Sequence, residues 1–97
     1  MTVHVASVTK DPDAVIDYKF DWTRWLAETT TTTDTISTSS WTVPSGLTKD
    51  SDSNTTTSTT VWLSGGTAGT AYQVANRIVT AGGRTADRTM TVYVQER

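Results

Sequence analysis

The residues with the most evident chemistry are Asp50-Ser51-Asp52-Ser53-Asn54, which place oxygen-bearing side chains in the order that opens a calcium loop. An EF-hand loop also needs a glycine at its sixth position for the sharp turn and a bidentate glutamate at its twelfth. Thr55 and Val61 stand there instead. Half of the ligand set is missing, and the run reads as a solvated turn.

Other candidates fail for equally specific reasons. His4 is the only histidine. A lone imidazole with no carboxylate or cysteine placed beside it makes a poor general base and cannot build a multi-histidine metal site. Asp11 with Asp13, and Asp17 with Asp21, are acidic pairs, but carboxylate catalysis of the glycosidase type needs a cleft that raises one pKa. The first pair falls in a linker and the second on the polar face of a strand. Asn54-Thr55-Thr56 matches the N-glycosylation acceptor pattern, yet the opening MTVHVASVTKDP has neither a basic n-region nor an apolar h-region, so no secretory signal is expected. The sequence therefore nominates no catalytic residue, no metal ligand and no cofactor, and the expectation is a protein that is not an enzyme.

Aromatic residues carry more weight. Trp22, Trp25, Trp41 and Trp62 are many indoles for 97 residues, and tryptophan supplies large contact areas in cores and at interfaces. Trp22 and one of Trp41 or Trp62 suffice for the core, which leaves one or two rings for the surface. Trp25-Leu26 lies just past the end of a strand and is the first candidate for an interface anchor. A sugar-stacking surface is the alternative use, with Trp25, Trp41 or Tyr93 as platforms. It would need two coplanar exposed rings flanked by polar groups.

The elements that must position these residues are strands. Ile16, Tyr18, Phe20 and Trp22 alternate with Asp17, Lys19 and Asp21, the period-2 pattern of a half-buried strand. Thr23 to Glu28 is a short helical candidate. Thr29 to Thr33 is a run compatible with loop or strand. From Asp34 to Val43 the chain is strand-like, and a bulge near Ser39-Ser40 would turn both Ile36 and Trp41 inward. Lys49 to Asn54 reads as a polar loop and Thr55 to Leu63 as the next strand. Tyr72, Val74, Asn76 and Ile78 then alternate with Gln73, Ala75, Arg77 and Val79, and after Gly82-Gly83 the pattern resumes with Met90, Val92 and Val94. A three-residue Gly82-Gly83-Arg84 loop would pair Val74 with Val92 and Tyr72 with Val94, collecting apolar residues on one face. Tyr72 is either a core aromatic or the tyrosine whose hydroxyl closes a sandwich corner.

About seven short strands imply an all-β fold, an immunoglobulin-like β-sandwich over residues 13–97, with residues 1–12 as an N-terminal arm or edge strand. Roughly a quarter of the residues are threonine and 35% are hydrophobic, which suits a thin two-sheet fold. A net charge of −2 and a pI near 5.1 argue against nucleic acid or an anionic membrane as partner. Cysteine is absent, so disulfides play no part, and this fits assembly in a reducing cytoplasm.

Two segments, KDPDAVIDYKFDWTRWL from Lys10 to Leu26 and VWLSGGTAGTAYQVANRIVTAGGRTADRTMTVYV from Val61 to Val94, resemble a family of tailed-phage fiber-tail adaptors with an immunoglobulin-like fold. The resemblance implies a structural protein of the bacteriophage virion, made in the host cytoplasm. Several copies would bridge tail or neck to a fiber or a neighbouring ring, in contact with other phage structural proteins. It provides no catalytic residues to carry over. A capsid decoration or head-tail joining protein, and a carbohydrate-binding module on the virion, are the alternatives. Interface residues are expected at Trp25, Leu26, Arg77, Arg84, Asp87 and Arg88, together with residues 1–12 and Asn76.

Overall fold

Among its described residues the chain forms seven strands. A computed structural model describes the backbone of residues 2–28 and 34–96, and the side chains of residues 7–27 and 34–96. The strands are β1 (Thr2–Lys10), β2 (Ile16–Asp21), β3 (Ile36–Thr42), β4 (Leu47–Asn54), β5 (Ser58–Gly65), β6 (Thr70–Thr80) and β7 (Thr85–Val94), with one helix, α1 (Thr23–Glu28), after β2. They form a four-stranded sheet in the order β1-β7-β6-β3 and a three-stranded sheet in the order β2-β5-β4. β1 runs parallel to β7, and the other pairings are antiparallel. The fold is the all-β sandwich expected from the pattern.

The core lies between the two sheets, where Phe20, Trp22, Leu63, Val74, Ile78, Met90 and Val92 are all buried. Each such side chain contributes roughly 1.5–3 kcal/mol relative to an exposed one, so this layer decides which strand faces turn inward. Tyr72, Val74, Asn76 and Ile78 of β6 and Met90, Val92 and Val94 of β7 are inside, as their alternation requires.

The hairpin register differs from expectation by two residues. Val74 faces Met90, Tyr72 faces Val92, and Val79 faces Thr85. The Thr80 amide donates to the Arg84 carbonyl at 2.8 Å and the Gly83 amide to the Thr80 carbonyl at 3.0 Å, so the loop is Ala81-Gly82-Gly83. Three-residue hairpin loops end in a left-handed residue. The observed loop puts Gly83 there, at φ 87°, whereas the expected one would have forced Arg84 into that conformation. A shift of two keeps every side chain on its face, which is why apolar pattern alone could not distinguish the two.

Three other boundaries move. Ile36 and Trp41 are both buried, but the irregularity that allows it falls between Ile36 and Thr38 rather than at Ser39-Ser40. Lys49 to Asn54, expected as a loop, belongs to β4, an edge strand with only Leu47 buried. An edge strand paired to β5 needs no apolar face of its own. β5 starts at Ser58 because the Thr55 hydroxyl accepts the Thr57 and Ser58 amides at 3.2 and 3.0 Å and closes a turn there.

Polar groups tie the layers together. Asn76 is 0% exposed, and its Oδ1 accepts from Thr59 Oγ1 at 2.7 Å and from Trp22 Nε1 at 3.2 Å. Its Nδ2 donates to Ser39 Oγ at 3.0 Å and to the Ser40 carbonyl at 2.9 Å. One side chain thus joins β3 and β6 to β5 and the end of β2. At the opposite end of the sandwich, the Tyr72 hydroxyl accepts the Thr67 amide at 2.9 Å. Tyr72 is therefore both a core aromatic and a corner tyrosine. Lys10, at the end of β1, is buried and donates to the Gly65 and Asp11 carbonyls at 2.7 and 2.9 Å.

Candidate functional site

At the end of the sandwich that carries α1 and the β6–β7 loop, two arginines stack on two tryptophans. Asp21 Oδ1 accepts the Thr23 amide at 3.0 Å, and the Leu26 amide donates to the Trp22 carbonyl at 2.9 Å. Hydrogen bonds from the Thr23 side chain and amide hold the Asp21 carboxyl below its ordinary pKa. The helical turn rotates each residue about 100° from the last. Leu26 consequently points into the core and is 0% exposed. This corrects its expected role as a surface anchor: it seats the turn from below. Trp25 is half-buried, edge-on to Trp22 with ring centroids 5.6 Å apart.

Arg84 lies over the Trp25 ring at 4.4 Å and Arg88 over the Trp22 ring at 3.9 Å. Such cation–π contacts contribute about 0.5–1 kcal/mol when exposed and more when desolvated. Arg84 Nε also donates to Asp34 Oδ2 at 3.1 Å, and Arg88 Nη1 to the Asp21 carbonyl at 2.8 Å. Burial pulls the Arg88 pKa down, partly offset by the Asp21 charge. Asp34 is the anchor of this end. Its Oδ1 accepts the Thr35 and Gly82 amides at 2.9 and 3.0 Å. Hydrogen bonds from the Thr80 hydroxyl foremost, then from these amides and Arg84, lower its pKa to about 2. A Cβ at Gly82 would come within 2.9 Å of Asp34 Oδ2, so any larger residue there would have to displace the anchored Asp34 carboxylate.

A second constellation lies on the outer face of the four-stranded sheet. Arg77 and Asp87 are directly paired across β6 and β7. The guanidinium grips the carboxylate with both arms, Nε to Oδ1 at 2.7 Å and Nη2 to Oδ2 at 2.9 Å. Hydrogen bonding to Asp87 and its charge raise the Arg77 pKa. The pair borders a shallow depression of about 300 Å³ shared with Ser40, Thr42 and Ala75. Asn76, the neighbour expected beside Arg77 at an interface, is instead buried in the core network.

The remaining sequence candidates are dispersed. Asp52 pairs with Lys49 at 3.3 Å and Asp50 accepts from Ser64 at 3.0 Å, both on or beside β4. Among the described residues, no group of three or more His, Cys, Asp or Glu side chains could hold a metal ion. Asp11 accepts the Asp13 amide at 2.8 Å, a turn-forming contact. His4 pairs with Thr89 through its backbone, and its side chain lies outside the described residues, as do Met1 and Thr29 to Thr33.

Of the proposed sugar platforms, Trp41 is buried with its ring 5.2 Å from Phe20, Trp25 has Arg84 over its ring, and only Tyr93 is well exposed, at 47%. They do not assemble into two coplanar exposed rings. Of Trp41 and Trp62, between which the sequence left the core position open, Trp41 is the buried one and Trp62 is 41% exposed on the outer face of the three-stranded sheet. The signal was present: Thr59, Val61 and Leu63 face inward on β5, so Trp62 must face out.

A family model described as podophage GP4 fiber-tail adaptor protein gp77 matches residues 10–93, most of the chain. No curated protein matches it. Among solved structures, the fold is similar to part of a 2,6-sialyltransferase from the Vibrionaceae bacterium Photobacterium sp. JT-ISH-224, solved in a ternary complex with CMP and lactose. The TM-score is 0.59 at 11% identity, covering 99% of this chain. This chain spans 18% of that protein's length, and at such identity the likeness is one of fold alone.

Proposed function

The chain belongs to the podophage fiber-tail adaptor family, and we propose that it is a structural component of the virion, joining tail or neck to a fiber or a neighbouring ring. The observation that carries this reading is the extent of the family match. Residues 10–93 take in β2 through β6 whole and all but the last residue of β7, so the matched region is the sandwich itself. The role is one of holding neighbours together, without catalysis, nucleic acid or membrane. The protein is made in the host cytoplasm and assembled in several copies, whose contacts close a ring by cyclic symmetry.

Two surfaces suit such contacts. One is the end formed by Trp25, Arg84 and Arg88, where guanidinium groups are already oriented by stacking and need little further ordering on docking. The other is the Arg77–Asp87 face with its shallow depression. Residues 1–12, which carry the edge strand β1, act in this reading as an arm beside the 13–97 domain, able to extend a sheet toward a neighbour. Capsid decoration and head-tail joining are the competing structural roles. Particles produced without this protein distinguish them in negative-stain images. Intact tails that lack fibers are the expected result. Fully fibred tails with altered capsids or unjoined heads would overturn the adaptor assignment.

A further inference from the structure

Four strands lie at sheet edges, β1 and β3 in the four-stranded sheet and β2 and β4 in the three-stranded one. An edge presents unpaired N–H and C=O groups to any further strand, and a bulge is one device that closes it. The pairing of β1 shifts between His4 and Ala6, that of β3 between Ile36 and Thr38, and that of β4 between Lys49 and Ser51. β2 differs: it pairs with β5 from Ile16 to Asp21 without a shift. Val15 and Ile16, at the start of this regular edge, are 62% and 39% exposed.

Two hydrogen bonds fix which groups of β2 face outward. The Trp22 amide donates to the Thr57 carbonyl at 2.8 Å, one step beyond the Asp21–Ser58 pair, so the even-numbered residues of β2 bond to β5. The Asp21 carbonyl, of the opposite parity, instead accepts Arg88 Nη1 of β7 at 2.8 Å. Alternation therefore turns the N–H and C=O groups of Asp17 and Lys19 out from the free edge. Among the described residues no strand pairs with them there.

A second β2 running antiparallel fits these groups in one register. With a twofold axis at Tyr18, Asp17 lies opposite Lys19 of the second copy and Lys19 opposite its Asp17. Both are pairs that exchange main-chain hydrogen bonds, and both set unlike charges side by side on the outer face. Unlike charges directly opposed stabilise a strand pair, and like charges destabilise it. On the inner face Tyr18 meets Tyr18 and Ile16 meets Phe20, so the exposed Ile16 gains cover, while Val15 stands opposite Asp21 at each end. Other registers fail. An axis at Lys19 opposes Lys19 to itself and Asp17 to Asp21, and an axis at Asp17 opposes Asp17 to itself. An axis at Phe20 runs β2 into α1. An axis between residues sets inward side chains against outward ones.

We propose that β2 is a self-complementary edge that pairs with β2 of a second copy, joining two three-stranded sheets into one continuous sheet across a twofold axis. This goes beyond the adaptor role and does not depend on it. A ring built from such pairs keeps its cyclic symmetry, with the pair as its repeating unit. One strand on each side makes a narrow contact, so the dimer is weak and concentration-dependent. Sedimentation velocity of the whole chain, from micromolar to millimolar concentration, tests it. A reversible dimer is expected. Asp17→Lys and Lys19→Asp each put two like-charged pairs into the seam, and each is expected to raise the dimer dissociation constant about tenfold. Mixed in equal amounts, the two variants again oppose unlike charges at both positions, and a mixed dimer of parental affinity is expected. That recovery also shows that both variants are folded. A parent chain that stays monomeric throughout overturns the proposal and leaves the edge to a strand of another protein. A dimer that either variant leaves unchanged, or variants that remain monomeric when mixed, overturn it as well.

Discussion

Asn76 and Arg77 are adjacent on β6, and each hydrogen-bonds to polar partners through its side chain, yet they face opposite media. Asn76 is enclosed between the sheets, where it bonds to Trp22, Thr59, Ser39 and Ser40. Arg77 lies on the outer surface, gripping Asp87 in a bidentate pair. By formal charge the second interaction is the stronger. By its effect on folding the first dominates, because Asn76, Trp22 and Thr59 are all buried and a group unmatched among them is stranded away from water. Water stands ready to replace either half of the exposed pair.

Truncating Asn76 tests that contrast most severely. Asn76→Leu keeps the branched shape but leaves the Ser39 hydroxyl and the Ser40 carbonyl without their partner and Thr59 Oγ1 without its acceptor, while Trp22 Nε1 keeps only Thr59 Oγ1, at 3.2 Å. Unsatisfied buried groups cost about 1–3 kcal/mol each. With some relaxation, a total near 3 kcal/mol is expected, on the order of 15 °C in Tm for a domain of this size. Urea denaturation followed by tryptophan fluorescence measures it. A change no larger than that of an ordinary surface substitution would mean the network relaxes freely and the contrast with Arg77 is empty.

Asp34 is an intermediate case, a charged acceptor at the end of the sandwich. Its folded pKa of about 2 lies below its ordinary 3.8. A depressed carboxylate contributes stability that is fully present above its unfolded pKa and is lost as pH falls through its folded one. The window is therefore pH 4 down to 2. Thermal melts over that range are expected to show a decline in Tm that is shallower in Asp34→Asn, which is less stable than the parent at neutral pH and approaches it in acid. Parallel declines for the two chains would mean that another carboxylate governs acid sensitivity.

How much of this was legible beforehand depends on the kind of information. The inward faces of β2, β6 and β7 follow from alternation, and α1 lies where Thr23 to Glu28 was read as helical. Period 2 reports faces, and says nothing about register shifts of two. The hairpin needed the further fact that Gly83, and not Arg84, can take the left-handed loop position. β4 was invisible because an edge strand of Lys, Asp, Ser and Asn has no apolar face to announce it. Leu26 was misjudged because a single helical turn breaks strand parity and returns an apolar residue to the core. Buried Thr59 and Asn76 look like surface residues until their partners, distant in sequence, are brought together. For the choice between Trp41 and Trp62, which the sequence left open, face assignment from Val61 and Leu63 was available and points to Trp62 as the outward ring.

The smallest effect expected is at the exposed pair. Arg77→Ala, Asp87→Ala and the double variant form a cycle, and their melting temperatures are expected to fall within the scatter of surface substitutions, with little coupling between the two sites. The same variants are expected to behave differently in assembly. If the depression beside Arg77 receives a neighbour, water is excluded there, and an Asp87 carboxylate deprived of the bidentate guanidinium is less fully compensated beneath that neighbour. Arg77→Ala should then reduce incorporation into particles by more than the double variant does, since the latter removes that charge as well. Counting protein per particle for the four chains makes the comparison. Equal incorporation of all four would restrict contacts to the Trp25–Arg84–Arg88 end or to β1. Equal loss in the single and double variants would show that Arg77 itself contacts the neighbour and that Asp87 only orients it.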